Sequence, residues 1–146
     1  MAAYIESSNL NDAEYFLNHA RGLPLTTTGK RRLSVYTKSV VVFAWMALEE
    51  FVRDELAAFP VASHPNRLWD QMDFLITNTK RPSLGTFDHS KASFLAQRKV
   101  RNGVAHALSV GAEVTIQEAA SCFAYCKAAI SAVTGFPVIN NSFSES

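Results

Sequence analysis

The chain has 146 residues, of which 48% are hydrophobic and 18% are charged. This composition is typical of one globular domain with its own core, and it excludes a disordered chain. A net charge of +1 excludes a basic field over the whole surface, so nucleic acid would be attracted only by local clusters such as residues 30–32 and 98–101. We therefore predict one domain over residues 1–146, with a flexible polar tail at residues 140–146.

The sequence opens without the pattern of a secretory signal, and its longest strictly apolar run, Val40 to Leu48, is too short to span a bilayer. We therefore expect a cytoplasmic protein that does not enter the membrane. Cys122 and Cys126 are four residues apart on a predicted helix. One such pair is a weak zinc signal, so we interpret both thiols as buried core residues.

The first predicted helix lies near the N-terminus. Asn9 or Asn11 is expected to cap it, because a short polar side chain can accept a hydrogen bond from a free backbone N–H. Gly22 is expected to end the helix after about Arg21.

The second predicted helix is long, from about residue 27 to Ala58, after a threonine cap at residues 26–28. Pro60 ends it, because a residue that precedes proline avoids helical backbone angles. Residues 40–48 are apolar on every side. A helix of this kind is typical of the centre of a bundle or of a dimer interface.

Three further helices are predicted. Pro65 is placed in the first turn of the third helix, and Asp88 or Ser90 is expected to cap the fourth. The pattern from Thr115 to Glu118 is that of a capping box, which predicts a fifth helix up to about residue 133. The predicted fold class is therefore all-α, a bundle of four or five antiparallel helices.

The candidate catalytic residues lie in one hexapeptide, Arg-Asn-Gly-Val-Ala-His, from Arg101 to His106. Arginine can hold a phosphate, and histidine can move a proton near neutral pH. On an unbroken helix the two side chains would diverge by about 140°. Gly103, which costs about 1 kcal/mol in a helix interior, is expected to provide a bend or a helix boundary that brings them together. Alternatively, the pair is completed by two chains across a symmetry axis.

This hexapeptide fits the R-x4-6-H signature of HEPN domains, including the polar residue after the arginine, Asn102. The predicted helical domain, with a long apolar helix that bears Trp45 and Glu49 and with the signature just before the last long helix, also resembles that family. The resemblance implies a homodimeric, metal-independent endoribonuclease that cuts single-stranded RNA and needs no cofactor. Such proteins often act as toxins of toxin–antitoxin pairs or in phage defence.

Carried over to this sequence, the resemblance assigns catalytic roles to Arg101, Asn102 and His106. His106 would be the general base on the ribose 2′-hydroxyl, Arg101 would neutralise the scissile phosphate, and Asn102 would orient the phosphate or the histidine. The product would be a 2′,3′-cyclic phosphate. In one toxin subgroup the signature extends to H-x-Y, but Ala107 and Leu108 follow the histidine here, so a different antitoxin, or none, is expected.

Further candidates flank this motif in sequence or on the long helix. Arg98 and Lys99 are predicted to contact backbone phosphates of a substrate. Glu50 and Asp54 lie one turn apart and are candidates for reaching into a dimer cleft, where they would orient His106 or Arg101.

Plainer interpretations stay open beside these. Arg53 and Glu49 have the spacing of a simple ion pair on one helix, and the cations of the hexapeptide fit a helix-capping role. The alternative function is a non-catalytic HEPN-like dimeric module that binds RNA, a nucleotide or a protein partner. No glycine-rich phosphate loop or His-Glu-x-x-His motif is present, so neither a nucleotide cofactor nor a metal ion is predicted.

Overall fold

A computed structural model describes residues 5–23, 26–78, 87–105 and 113–139. Within these ranges the chain forms five α-helices and no β-strand: α1 (Ser8–Arg21), α2 (Thr27–Leu56), α3 (Leu68–Asn78), α4 (Lys91–Ala105) and α5 (Ile116–Thr134). A 3-10 turn at Val61–Ser63 connects α2 to α3, and one isolated parallel bridge joins Ile5 to Val138. The all-α prediction is confirmed. The predicted tail at residues 140–146 lies outside the described residues.

The first helix begins earlier than the sequence suggested. Its N-cap is Ser7, whose Oγ accepts a hydrogen bond from the backbone N–H of Leu10 at 3.1 Å. The predicted caps, Asn9 and Asn11, are wrong, because both residues lie inside α1. Serine caps a helix as effectively as asparagine, so the choice among nearby polar residues depends on which one precedes the first turn. Gly22 ends α1 as predicted.

The long second helix is confirmed, with a Thr26 side chain that accepts from the backbone N–H of Gly29 at 3.0 Å. It has 30 residues, which corresponds to about 45 Å. Its most extensive contacts are with α1 and α5, so it is the central helix of the bundle, as its apolar middle predicted. No helix in the described ranges has a stretch both long enough and apolar enough to cross a membrane.

The starts of the later helices follow local capping chemistry. Ser90 Oγ accepts from the backbone N–H of Ser93 at 3.1 Å, so Ser90 is the cap of α4. The capping box of α5 is confirmed by reciprocal bonds between Thr115 and Glu118 at 3.1 and 3.0 Å. Pro65 was predicted in the first turn of α3, which is wrong because α3 begins at residue 68.

The core is built mainly from α2, α1 and α5. Its fully buried side chains include Leu10, Val40, Val41, Leu48, Val52, Met72, Ile130 and Val133. Cys122 and Cys126 are also fully buried and free, which confirms their interpretation as core residues. Two apolar residues in the middle of α2 are instead exposed, Val42 at 42% and Met46 at 46%, so this part of α2 is not covered on every side within one chain.

The side-chain contacts fix the directions of the helices. Asn9 and Phe16 of α1 contact Glu50 and Phe43 of α2, respectively, so these two helices are antiparallel. Helix α4 runs in the same general direction as α2, because Phe94 contacts Trp45 and the later residue Arg101 contacts the later residue Glu49. Two helices separated by one other helix in sequence are expected to be parallel in an up-and-down bundle.

Candidate functional site

The arginine of the hexapeptide lies on α4 and forms an ion pair with α2. Arg101 Nη2 donates to Glu49 Oε1 at 3.1 Å, and Arg101 Nη1 donates to Asn102 Oδ1 at 3.4 Å. The side chains of Arg101 and Glu49 are 41% and 38% exposed. The guanidinium is therefore oriented by a carboxylate and still reaches solvent.

An aromatic contact fixes the register that brings these two residues together. Phe94 of α4 packs edge-on against Trp45 of α2, with ring centroids 5.9 Å apart. Arg101 lies seven residues beyond Phe94, and Glu49 lies four residues beyond Trp45. These are about two turns and one turn of helix, so each charged residue lies on the same face as the aromatic residue that precedes it.

A pocket of about 660 Å³ opens beside this ion pair. It lies between α2, α4 and the first turn of α3, and we call it the Trp69 pocket. Its lining includes Trp45, Glu49, Trp69, Phe94, Arg98 and Arg101. Trp69 is held in place by His89, which stacks on it with centroids 4.4 Å apart and whose Nε2 lies 3.0 Å from Asp73 Oδ1.

A second pocket of about 680 Å³ adjoins the first. The two share Glu49, Asn66 and Leu68 in their linings. The second pocket also includes Arg53 and His64. Glu49, the partner of Arg101, therefore lines both pockets.

The structure brings together some of the predicted site residues and separates others. Arg98 lines the Trp69 pocket with Arg101, whereas Lys99, the next residue on α4, is exposed and lies outside both pockets. Asn102 is half-buried and contacts Arg101. His106, the predicted general base, lies outside the described residues.

Within one chain the acidic partner of Arg101 is Glu49, which was not among the predicted site residues. Within the described chain, Glu49 contacts Arg101, whereas Glu50 accepts a hydrogen bond from Asn9 Nδ2 at 3.1 Å and Asp54 is exposed. The simple pairing of Glu49 with Arg53 along α2 is replaced by this contact between helices. An exposed pair on one helix contributes only about 0.5 kcal/mol, so tertiary packing easily overrides it.

Gly103 does not form the predicted helix boundary, because α4 continues through it to Ala105. A Cβ atom at this position would meet nothing within 4 Å. The glycine therefore leaves open space at its own position on α4. The two hydrogen bonds of the Arg101 side chain do not cap the helix, because both acceptors are side-chain oxygens and not backbone carbonyls.

Most residues of the pocket were not among the predicted site residues, including Trp69, Lys91, Phe94 and Leu95. Lys91, Phe94, Leu95, Arg98 and Arg101 lie at successive spacings of three, one, three and three residues. This spacing places them along one face of α4. The alternation of basic and apolar residues on that face was the sequence signal that could have indicated a lined pocket.

Two buried groups next to the site have strongly perturbed acidities. Burial raises the pKa of the Cys126 thiol, and the neighbouring Cys122 and the Glu49 carboxylate add to this effect. Burial also raises the pKa of the Tyr125 hydroxyl, with further contributions from Cys126 and Asp88. Both groups therefore stay neutral near pH 7 and cannot serve as a base there. No cluster of three potential metal ligands occurs among the residues that the structure describes.

Similarity to known proteins does not identify this site. No protein-family model, no curated protein and no solved structure matches the chain. The chemistry of the site is therefore inferred from its own residues and their geometry.

Proposed function

We propose that the protein is a metal-independent endoribonuclease of the HEPN type. The observation that carries this proposal is the guanidinium of Arg101, oriented by Glu49 beside a pocket and partly open to solvent. Arginine has five N–H donors, and the bonds to Glu49 and Asn102 use two of them. Donors thus remain for two oxygens of a phosphate, which arginine binds in a forked geometry.

The proposed mechanism divides the reaction between the residues of the hexapeptide. His106 accepts the proton of the ribose 2′-hydroxyl, and the resulting oxygen attacks the adjacent phosphorus. Arg101 stabilises the negative charge that develops on the phosphate oxygens. Asn102 orients the phosphate or the histidine. The bond to the 5′-oxygen breaks and this oxygen takes up a proton from water, which leaves a 2′,3′-cyclic phosphate on one product and a 5′-hydroxyl on the other.

The proposed active form is a homodimer. Val35, Val42 and Met46 are 60%, 42% and 46% exposed and lie along one side of α2. Glu49 follows Met46 by three residues on the same side. A twofold contact through this apolar stripe would therefore bring two Arg101–Glu49 pairs close to each other, as the HEPN resemblance requires.

Light scattering at micromolar concentration tests this dimer. We expect the wild type to have twice the mass of one chain and Met46→Lys to be monomeric, because a lysine in the stripe would be buried without a partner. Val61→Lys is the matched control, because Val61 is 83% exposed and lies off α2. A monomeric wild type would contradict the proposal.

The proposed biological role is growth control or phage defence, with RNA as the target and an antitoxin protein as a possible partner. Residues 107 and 108 are alanine and leucine, which argues against an antitoxin that modifies a tyrosine of an H-x-Y motif.

The alternative is a dimeric module that binds RNA, a nucleotide or a protein without cutting it. One observation favours it: the charge of Arg101 is already balanced by Glu49, so a phosphate must compete with a carboxylate.

Induced expression in bacterial cells discriminates between these two functions. We expect the wild type to arrest growth and both Arg101→Ala and His106→Ala to be tolerated. Lys99→Ala is the control, because it removes a charge from the same helix outside the pockets, and it should remain toxic. Equal tolerance of all four proteins would favour the binding module.

A further inference from the structure

The Trp69 pocket combines an aromatic wall with a charged rim. The chain has two tryptophans, and both line this pocket together with Phe94. Trp45 and Phe94 are only 3% and 2% exposed, so they support the pocket from behind and present almost no ring surface to it. Trp69 is half-buried, and the accessible part of its ring is the flat apolar surface against which a planar ring can pack.

The rim has a local excess of positive charge. Four cationic side chains, Arg67, Lys91, Arg98 and Arg101, line the pocket beside only two anionic ones, Glu49 and Asp70. The local excess of two positive charges exceeds the net charge of +1 of the whole chain. Lys91 and Arg98 are exposed and free to turn toward a ligand.

We propose that the Trp69 pocket binds one nucleotide of single-stranded RNA. The base lies against Trp69, and the phosphate lies on Arg98 and Lys91, beside Arg101. The volume of about 660 Å³ falls within the usual range for small-ligand sites, about 300–1,000 Å³. A purely apolar ligand would leave the cations unused, and a simple anion would leave the aromatic wall unused.

This inference rests on the proposed function, because it names the part of the RNA that is bound next to the cleaved bond. The pocket then holds a nucleotide adjacent to the scissile phosphate on Arg101, and the adjoining pocket shares Glu49 with it.

The test compares three ligands for the purified protein in EDTA: AMP, adenosine and ribose 5-phosphate. Binding is measured by calorimetry and by intrinsic fluorescence, which comes largely from the two tryptophans of the pocket. We expect AMP to bind at least about tenfold more tightly than either fragment, because stacking and phosphate contacts both contribute. Equal affinity for AMP and ribose 5-phosphate would overturn the role of the aromatic wall.

Two neighbouring residues of α4 provide a matched pair of variants. Arg98→Ala is expected to weaken AMP binding at least about fivefold, while Lys99→Ala changes it less than twofold, because only Arg98 lines the pocket. The slope of log K against log salt should fall for Arg98→Ala and not for Lys99→Ala. Trp69→Ala should weaken AMP binding without changing that slope. Equal effects of Arg98→Ala and Lys99→Ala would refute the assignment.

Competition distinguishes an RNA chain from a free nucleotide, and cleavage separates this inference from the proposed function. A short oligoadenylate should displace AMP, and failure to do so would overturn the assignment to RNA. If AMP binds as described while RNA is not cut, the assignment of the pocket is supported and the proposed nuclease function is refuted. If RNA is cut while Trp69→Ala and Arg98→Ala leave AMP binding and RNA cleavage unchanged, the proposed nuclease function is supported and the pocket assignment is refuted.

Discussion

The ion pair between Arg101 and Glu49 should matter far more for activity than for stability. At the observed separation of 3.1 Å, two unit charges in water attract by about 1.3 kcal/mol. The two side chains are 41% and 38% exposed, so solvent screens the pair, and ordering two long side chains opposes it. We therefore expect a coupling free energy of about 0.5–1 kcal/mol.

A double-mutant cycle in urea measures this coupling. The four proteins are the wild type, Glu49→Gln, Arg101→Ala and the double variant, each unfolded at low salt and at 1 M NaCl. We expect the coupling to fall toward zero at high salt, while RNA cleavage by Arg101→Ala falls by about 100-fold or more. A coupling of about 3 kcal/mol or more would mean a desolvated structural pair, and it would refute the view that Glu49 holds a reactive arginine.

The neighbouring carboxylate provides the control for this cycle. Glu50 is exposed and bonds to Asn9 instead of Arg101, so Glu50→Gln should leave cleavage unchanged. Glu49→Ala should lower the cleavage rate more than Glu49→Gln, because glutamine keeps an oxygen that can accept from the guanidinium. Equal rates for the two Glu49 variants would show that Glu49 does not position Arg101.

Three further predictions concern the surroundings of the site. Burial raises the pKa of Cys126 and Tyr125 above their ordinary values of 9.0 and 10.0. The contribution of these two neutral groups to the unfolding free energy is therefore fully present below pH 9 and is lost above it, by up to about 1.4 kcal/mol per pH unit and group. Urea unfolding from pH 8 to 11 checks this, and a flat profile would contradict it. Tyr125→Phe should make that loss less steep and should cost no stability at pH 7, because the buried hydroxyl has no partner in the described ranges; a loss above about 1 kcal/mol in the same assay would contradict this. Gly103→Ala should raise the unfolding free energy by about 0.5–1 kcal/mol, because a Cβ there meets open space; a loss of stability would show that the glycine backbone is required.

The sequence predicted those parts of the fold that depend on nearby residues. The capping box of Thr115 and Glu118 links residues three positions apart, and the end of α1 at Gly22 is equally local. The exact start of α1 was missed, because Ser7 and Asn9 are both good caps. Only the packing of the first turn decides between them.

The site itself depended on contacts that the sequence pattern does not contain. Arg101 and Glu49 are 52 residues apart, and nothing in the spacing of charges along α2 distinguishes Glu49 from Glu50. The choice is made by the contact between Trp45 and Phe94, which sets the register of α4 on α2. The first turn of α3 completes the pocket, and its position depends on the tertiary fold.

Cleavage of RNA in EDTA by purified protein tests the central claim most directly, with the wild type compared with Arg101→Ala and His106→Ala. We predict that the wild type leaves 2′,3′-cyclic phosphate ends and that both variants are inactive, while their unfolding free energies stay within about 1 kcal/mol of the wild type. A wild type that does not cut, or variants that cut equally well, would contradict the account.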